Sequence, residues 1–146
     1  MTGLVVIGID PGDVHVGYAR WDGVRVVAGE LAAGRAVSAV HKELDALRHP
    51  PLQTVLVVER FSLYTDRAMA QSGSQMETAQ MIGALRYVAW LTDTAVVLQG
   101  ADIKKPTRKQ LKARGIKQQA SGSTHASDAE LHLMHYLLKE GLWKTS

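Results

Sequence analysis

The chain has 146 residues, no cysteine and a net charge of +3. That length suits one domain able to bury roughly 70% of its unfolded surface, and the absence of thiols excludes disulfides and thiolate metal sites. No apolar stretch approaches the roughly 20 residues of a membrane-spanning helix, and the opening Met1-Thr2-Gly3 lacks the basic start of a leader, so a cytoplasmic protein is expected.

Residues 4–10 (LVVIGID) form a β-branched run that ends in a turn, the pattern of a buried strand. Residues 14–21 and 24–31 follow, split by Asp22-Gly23, a strong hairpin signal between two apolar runs. Three opening antiparallel strands are therefore predicted. Val37, Val40, Leu44 and Leu47 recur at helical spacing within 36–48, and Pro50-Pro51 stops that helix. Residues 54–59 (TVLVVE) are nearly all apolar and predict a central strand covered on both faces.

Residues 61–73 are polar and irregular and read as a loop. Ser74-Gln75-Met76-Glu77 has the spacing of a capping box, in which the Ser and Glu side chains satisfy free amides at a helix start. The helix is predicted to run to about Leu91 with Met76, Ala79, Gly83, Tyr87 and Trp90 along one stripe. Gly83 lowers helix stability there and so marks a close backbone approach. Residues 95–98 make a short fifth strand, Pro106-Thr107 starts a short helix, 120–123 is a small-residue linker, and 124–140 is a closing helix capped by Gly141. The sum is an α/β chain with a mixed sheet, read as a single domain over 1–146.

The basic excess is local. Lys104, Lys105, Arg108, Lys109, Lys112, Arg114 and Lys117 lie between Gln99 and Ala120 against the single acid Asp102, and the rest of the chain is net negative. A charge run is ordinarily a solvated face; a localised stripe is also the electrostatic footprint of a phosphate-binding surface.

Three acids sit where chemistry could use them. Asp10 lies at the exit of the first strand in Gly8-Ile9-Asp10-Pro11-Gly12, where an aspartate could equally initiate a turn. Glu59 ends the apolar fourth strand, where burial is costly unless a cation pairs the carboxylate, although the strand could simply have reached solvent. If these strands are parallel neighbours, both acids meet at one sheet end. His125 and Asp128 share a helix face three residues apart. Against that stand a simple macrodipole preference for Asp128 and an alternative capping box of Ser127 with Glu130. His132 and His135 continue the face without a recognisable metal spacing and read as ordinary helix residues. Oxygen donors with one imidazole and no thiol suit Mg²⁺ or Mn²⁺.

These motifs together resemble the RuvC-type Holliday-junction resolvases of the ribonuclease H-like superfamily. Gly8-Ile9-Asp10-Pro11-Gly12 with Gly17-Tyr18 is similar to that family's first-strand motif, Glu59 to its second acid, and His125-Ala-Ser-Asp128-Ala to its C-terminal pair, in order across nearly the whole chain. The short chain looks more like phage-encoded versions than bacterial ones.

The resemblance implies a five-stranded mixed sheet, the first three strands antiparallel, with helices on both faces. It implies that Asp10 bridges two Mg²⁺ or Mn²⁺ ions, flanked by Glu59 and Asp128, with His125 a ligand or an aid to the attacking water. Cleavage would leave a 5′-phosphate and a 3′-hydroxyl. Ile103-Lys104 is similar to the family's Val-Lys pair and Lys109-Gln110-Leu111 to its later lysine, so Lys104, Lys105, Arg108, Lys109 and Lys112 are the expected nucleic-acid contacts. Phe61 or Tyr64, with Arg60 and Arg67 nearby, would offer an aromatic to an unpaired base; Phe61 as a core residue is the alternative. The implied partner is branched DNA, or an RNA–DNA hybrid, and two symmetric cuts imply a homodimer, for which the stripe from Met76 to Trp90 is the expected interface, with core packing the alternative. The rival readings are a ribonuclease H-like or flap nuclease, and a nucleic-acid-binding scaffold without activity.

Overall fold

The computed structural model describes residues 3–48, 52–61, 68–121 and 124–144. β1 (Leu4–Asp10), β2 (His15–Trp21) and β3 (Val26–Ala32) form an antiparallel meander. β4 (Gln53–Glu59) then pairs in parallel with β1, and β5 (Ala95–Gln99) in parallel with β4, giving the order β3-β2-β1-β4-β5. The predicted mixed sheet is thus the observed one. β1 and β4 are apolar nearly throughout because both of their faces are covered.

The alternation along β1 divides the core in two. Val5, Ile7 and Ile9 face α1 (Ala33–Ala46) and α2 (Ala68–Leu91), packing with Val40, Leu44, Ile82 and Leu85. Val6, with Val55 and Val57 of β4, faces α4 (Thr124–Lys139), packing with Leu131, Leu133 and Leu137. α3 (Lys104–Ala113) joins that second layer through Leu111 and through Thr107, whose hydroxyl meets His135 Nδ1 at 3.3 Å.

Several boundaries differ from those predicted, each for a local reason. The β2–β3 connection spans four residues rather than two, because Asp22 Oδ1 accepts the backbone N–H of both Val24 and Arg25 and holds them out of the ladder. α2 begins at Ala68, so Ser74 and Glu77 lie inside the helix and do not cap it. α3 begins at Lys104, with Pro106 in a first turn whose N–H groups have no helical partner to lose. Nothing approaches the position of a Cβ on Gly83 within 4 Å, so the close backbone approach expected there is absent among the described residues. The stripe Met76, Gly83, Tyr87 and Trp90 faces outward, while Ile82, Leu85, Val88 and Ala89 form the core face. α4 ends as expected: Gly141 takes φ +68°, Leu142 N–H donates to Leu137 and Gly141 N–H to Leu138.

A candidate carboxylate centre at the sheet edge

The pairing registers set Gly17 opposite Asp10 in the antiparallel ladder and Glu59 opposite Gln99 in the parallel one. Ile9 pairs with Val58, so Asp10 and Glu59 follow at the same level. Gly17, Asp10, Glu59 and Gln99 therefore make one row across four strands, and residues opposite one another in a ladder share a face. That face is the one α4 crosses.

Glycine lets α4 come down onto the row. A Cβ on Gly8 would stand 2.5 Å from the Ala129 carbonyl oxygen, and one on Gly17 would run into the backbone of His125 and Ala126. With no side chain at either place, the first turns of α4 lie against β1 and β2, and the helix delivers its side chains to the row in sequence. His125 Nδ1 reaches Asp10 Oδ2 at 3.0 Å. Asp128 lies one turn on, bonded by Lys104 Nζ at 3.1 Å, with Arg108 Nη2 at 3.9 Å from its other oxygen. His132, a further turn along, reaches Glu59 Oε1 at 3.1 Å and the Gln99 side chain at 2.8 Å.

Lys104 ties the acids together. Its ammonium is 3.0 Å from Glu59 and 3.1 Å from Asp128, so those two carboxylates are no farther apart than these distances together allow. Burial lowers the lysine's affinity for its proton, but bonds and charges from Glu59 and Asp128 outweigh this and raise its pKa.

The two strand-end acids are pushed in opposite directions. Asp10, only 4% exposed, is raised from 3.8 to about 6, first by burial and then by the charge of Glu59, against the lowering bond from His125. Burial pushes Glu59 up as well, but bonds from His132 and Lys104 and the lysine's charge overcome it and hold the carboxyl at about 2.

Whether the residues fit a divalent cation is answered by their chemistry. Two carboxylates, Glu59 and Asp128, share one ammonium, while Asp10 beside them is buried without it and holds its charge at a cost, which is the condition a bound cation relieves. The three carboxylates supply the oxygen ligands that Mg²⁺ and Mn²⁺ prefer, with one imidazole beside them and no thiol. As the side chains stand, no three acids or histidines among the described residues close tightly enough to enclose an ion. The Lys104 ammonium lies between Glu59 and Asp128.

Asp10, Glu59, His125, Asp128 and Lys104 are thus brought together. Lys105, Lys109 and Lys112 are exposed on α3, as is Arg108 for most of its length. Arg60 is exposed beside Gly100, and Phe61 packs partly buried against the α1–α2 core, in keeping with its packing reading. Tyr64 and Arg67 lie outside the described residues.

Sequence reasoning missed His132 and Gln99. His132 is not an ordinary helix residue: it is fully buried between two strand ends. Its spacing of four from Asp128 and seven from His125 was the available signal. The alternative capping box is also absent, since Glu130 instead accepts the backbone N–H of Gln119 and Ala120 and pins the strap before α4.

No protein-family model matches the sequence, and no curated protein matches it. Solved structures do. RuvC of T. thermophilus in complex with Holliday junction substrate superposes with a TM-score of 0.62 at 19% identity, over 95% of this chain and 97% of that one. The Thermus thermophilus RuvC structure gives a TM-score of 0.58 at 21% identity, over 94% and 97%. The fold is that of RuvC. It is a ribonuclease H-like α/β fold spanning nearly the full length of both chains, at an identity that speaks for architecture alone.

Proposed function

We propose that this chain is a metal-dependent, structure-selective endonuclease that cleaves DNA phosphodiesters at four-way (Holliday) or other branched junctions, leaving a 5′-phosphate and a 3′-hydroxyl. The observation that carries the reading is the convergence of Asp10, Glu59 and Asp128 at one sheet edge, beside a helix with a basic outer face. The RuvC fold supports it, because a protein of that fold is known bound to a Holliday junction.

Asp10, Glu59, His125 and Asp128 would hold two Mg²⁺ or Mn²⁺ ions, which when bound supply an activated water and stabilise the leaving oxygen. The residues of the chain do the rest. Asp10, buried and poorly compensated, would be one of the carboxylates that hold the ions. His125, partly exposed, steadies Asp10 Oδ2 from the open side. Lys104 balances the acids at the root of α3, and Lys105, Arg108, Lys109 and Lys112 offer charge to phosphates along the same helix.

A junction needs two symmetric cuts, and a twofold homodimer supplies two sites. The outward stripe of α2 supports this: Met76, Tyr87 and Trp90 are 58%, 60% and 73% exposed, and the two rings stack with centroids 6.1 Å apart. No described helix is long and apolar enough to cross a membrane, and we place the protein in the cytoplasm with its substrate, working as one nuclease domain.

The test is to incubate the purified protein with a four-way junction, a flap and an RNA–DNA hybrid, each with Mg²⁺, Mn²⁺ or chelator. Paired, metal-dependent nicks in the junction are expected. Cleavage confined to the flap or hybrid would move the reading to a flap or ribonuclease H-like nuclease, and binding without cleavage to a scaffold.

A further inference from the structure

His132 is fully buried, yet it is a polar ring with both nitrogens engaged: Nε2 toward Glu59 Oε1 at 3.1 Å and Nδ1 toward the Gln99 side chain at 2.8 Å. Burying such a ring is favourable only if both nitrogens are satisfied. An ionised Glu59 can only accept, so Nε2 carries a proton and donates it. On the other side Nδ1 meets the Gln99 amide at 2.8 Å, which holds the far edge of the ring. Both ring nitrogens are then paired.

The other donor to Glu59 is of a different kind. Lys104 sits on a flexible stem, partly open to solvent, at the start of the basic helix. His132 is rigid and anchored to the neighbouring strand end. Both meet the same oxygen, Oε1, so among the described residues Oε2 is left clear of them.

We propose that His132 is a positioning residue for Glu59: its ring, held by Gln99 on one side, donates to Oε1 on the other and fixes the direction in which the carboxylate faces a divalent cation. The proposal rests on the metal-dependent reading above and deepens it. Partners behind a metal ligand orient it, and their loss weakens metal affinity as well as activity.

The experiment is a calorimetric titration of the full chain with Mn²⁺, accompanied by thermal melts without metal. His132→Leu is expected to weaken Mn²⁺ binding about 10- to 100-fold, whereas His132→Gln, which keeps a donor near Nε2, stays within about threefold of wild type. Gln99→Met, which frees the far side of the ring, falls between them. Wild-type affinity in His132→Leu, or equal losses in the Leu and Gln variants, overturns the proposal. If His132→Leu does not fold, Gln99→Met decides: an unchanged affinity overturns it. A wild-type protein that binds no Mn²⁺ sinks the metal reading instead. The hold on Glu59 is then judged by nitrogen-15 spectra of the ring. A protonated Nε2 whose signal moves in Glu59→Gln supports it, and a ring protonated at Nδ1 alone overturns it.

Discussion

Replacing Asp10 by Asn should stabilise the metal-free protein at neutral pH. Asp10 holds its proton more tightly folded than unfolded, with a pKa near 6 against an ordinary 3.8. Folding therefore takes up a proton in that window, and stability falls as pH rises from about 4 through 6. Glu59 acts in the opposite sense: its depressed pKa contributes stability present above about 4.5 and lost as pH falls toward 2. Above pH 7 the Asp10 penalty is complete. Each pKa step is worth about 1.4 kcal/mol, so the penalty is about 3 kcal/mol, an upper figure for a side chain with almost no solvent to screen it. Asn keeps an oxygen for His125 and removes the charge. For a chain of this size the gain corresponds to a melting temperature higher by roughly 6–12 °C. Calorimetric melts of both proteins in chelator should separate at pH 7.5 and converge near pH 4. Mn²⁺ should raise the wild-type melt and leave the variant's nearly unmoved. A variant that melts at or below wild type at pH 7.5, or a separation that does not change with pH, refutes the account of Asp10 as a carboxylate strained by burial and by Glu59.

Gly17→Ala should cost at least about 3 kcal/mol, since its Cβ would meet the α4 backbone, whereas Gly83→Ala, with open space around it, should gain up to about 1 kcal/mol. Chemical denaturation of both variants checks the contrast, and a mild Gly17→Ala would mean that α4 does not lie against β2 as described. Replacing Lys105, Arg108 and Lys109 together by Ala should weaken junction binding and flatten its dependence on salt, by about 0.9 in log–log slope for each phosphate no longer neutralised. An unchanged slope in a filter-binding series would return α3 to a merely solvated face. Tyr87→Glu with Trp90→Glu should leave the fold intact, both side chains being outside it, and convert a dimer to a monomer in sedimentation. A wild-type chain that sediments as a monomer at tens of micromolar, on the order of a modest interface affinity, would refute the assigned interface.

What the sequence disclosed follows the range of the forces involved. β1 and β4 were legible because a strand buried on both faces must be apolar at every step, and each run ends on its acid. The glycines at 8 and 17 could be matched to a motif, but their physical reason, a helix pressed onto the sheet, needs the third dimension. The start of α2 was hidden because residues 68–73 have no amphipathic contrast, and Ser74-Gln75-Met76-Glu77 offered a cap where the helix was already under way. His132 escapes sequence reasoning for a similar reason. Its partners lie 73 and 33 residues away in sequence, and only the register of β4 with β5 shows that Glu59 and Gln99 form adjacent ends for one ring to bridge.

That register also explains the electrical asymmetry of the site. Asp10 and Glu59 stand at one level on neighbouring strands and share a burial penalty, yet one carboxyl is raised and the other lowered. The difference lies in the donors supplied. Glu59 has the His132 ring and the Lys104 ammonium, while among the described residues Asp10 has the His125 ring as its side-chain partner. Lys104 also divides its charge between Glu59 and Asp128 and so leaves Asp10 uncompensated. The unmet demand for positive charge is therefore concentrated on the innermost acid. Under the proposed function, a cation there would gain more than one at Glu59 or Asp128, because desolvation has been borne by the fold and no ammonium has to be displaced from Asp10 itself. The same arrangement makes Asp10 an acid whose neutralisation is expected to improve stability and, under the proposed function, to abolish cleavage, the trade of a functional carboxylate and not of a turn-forming one.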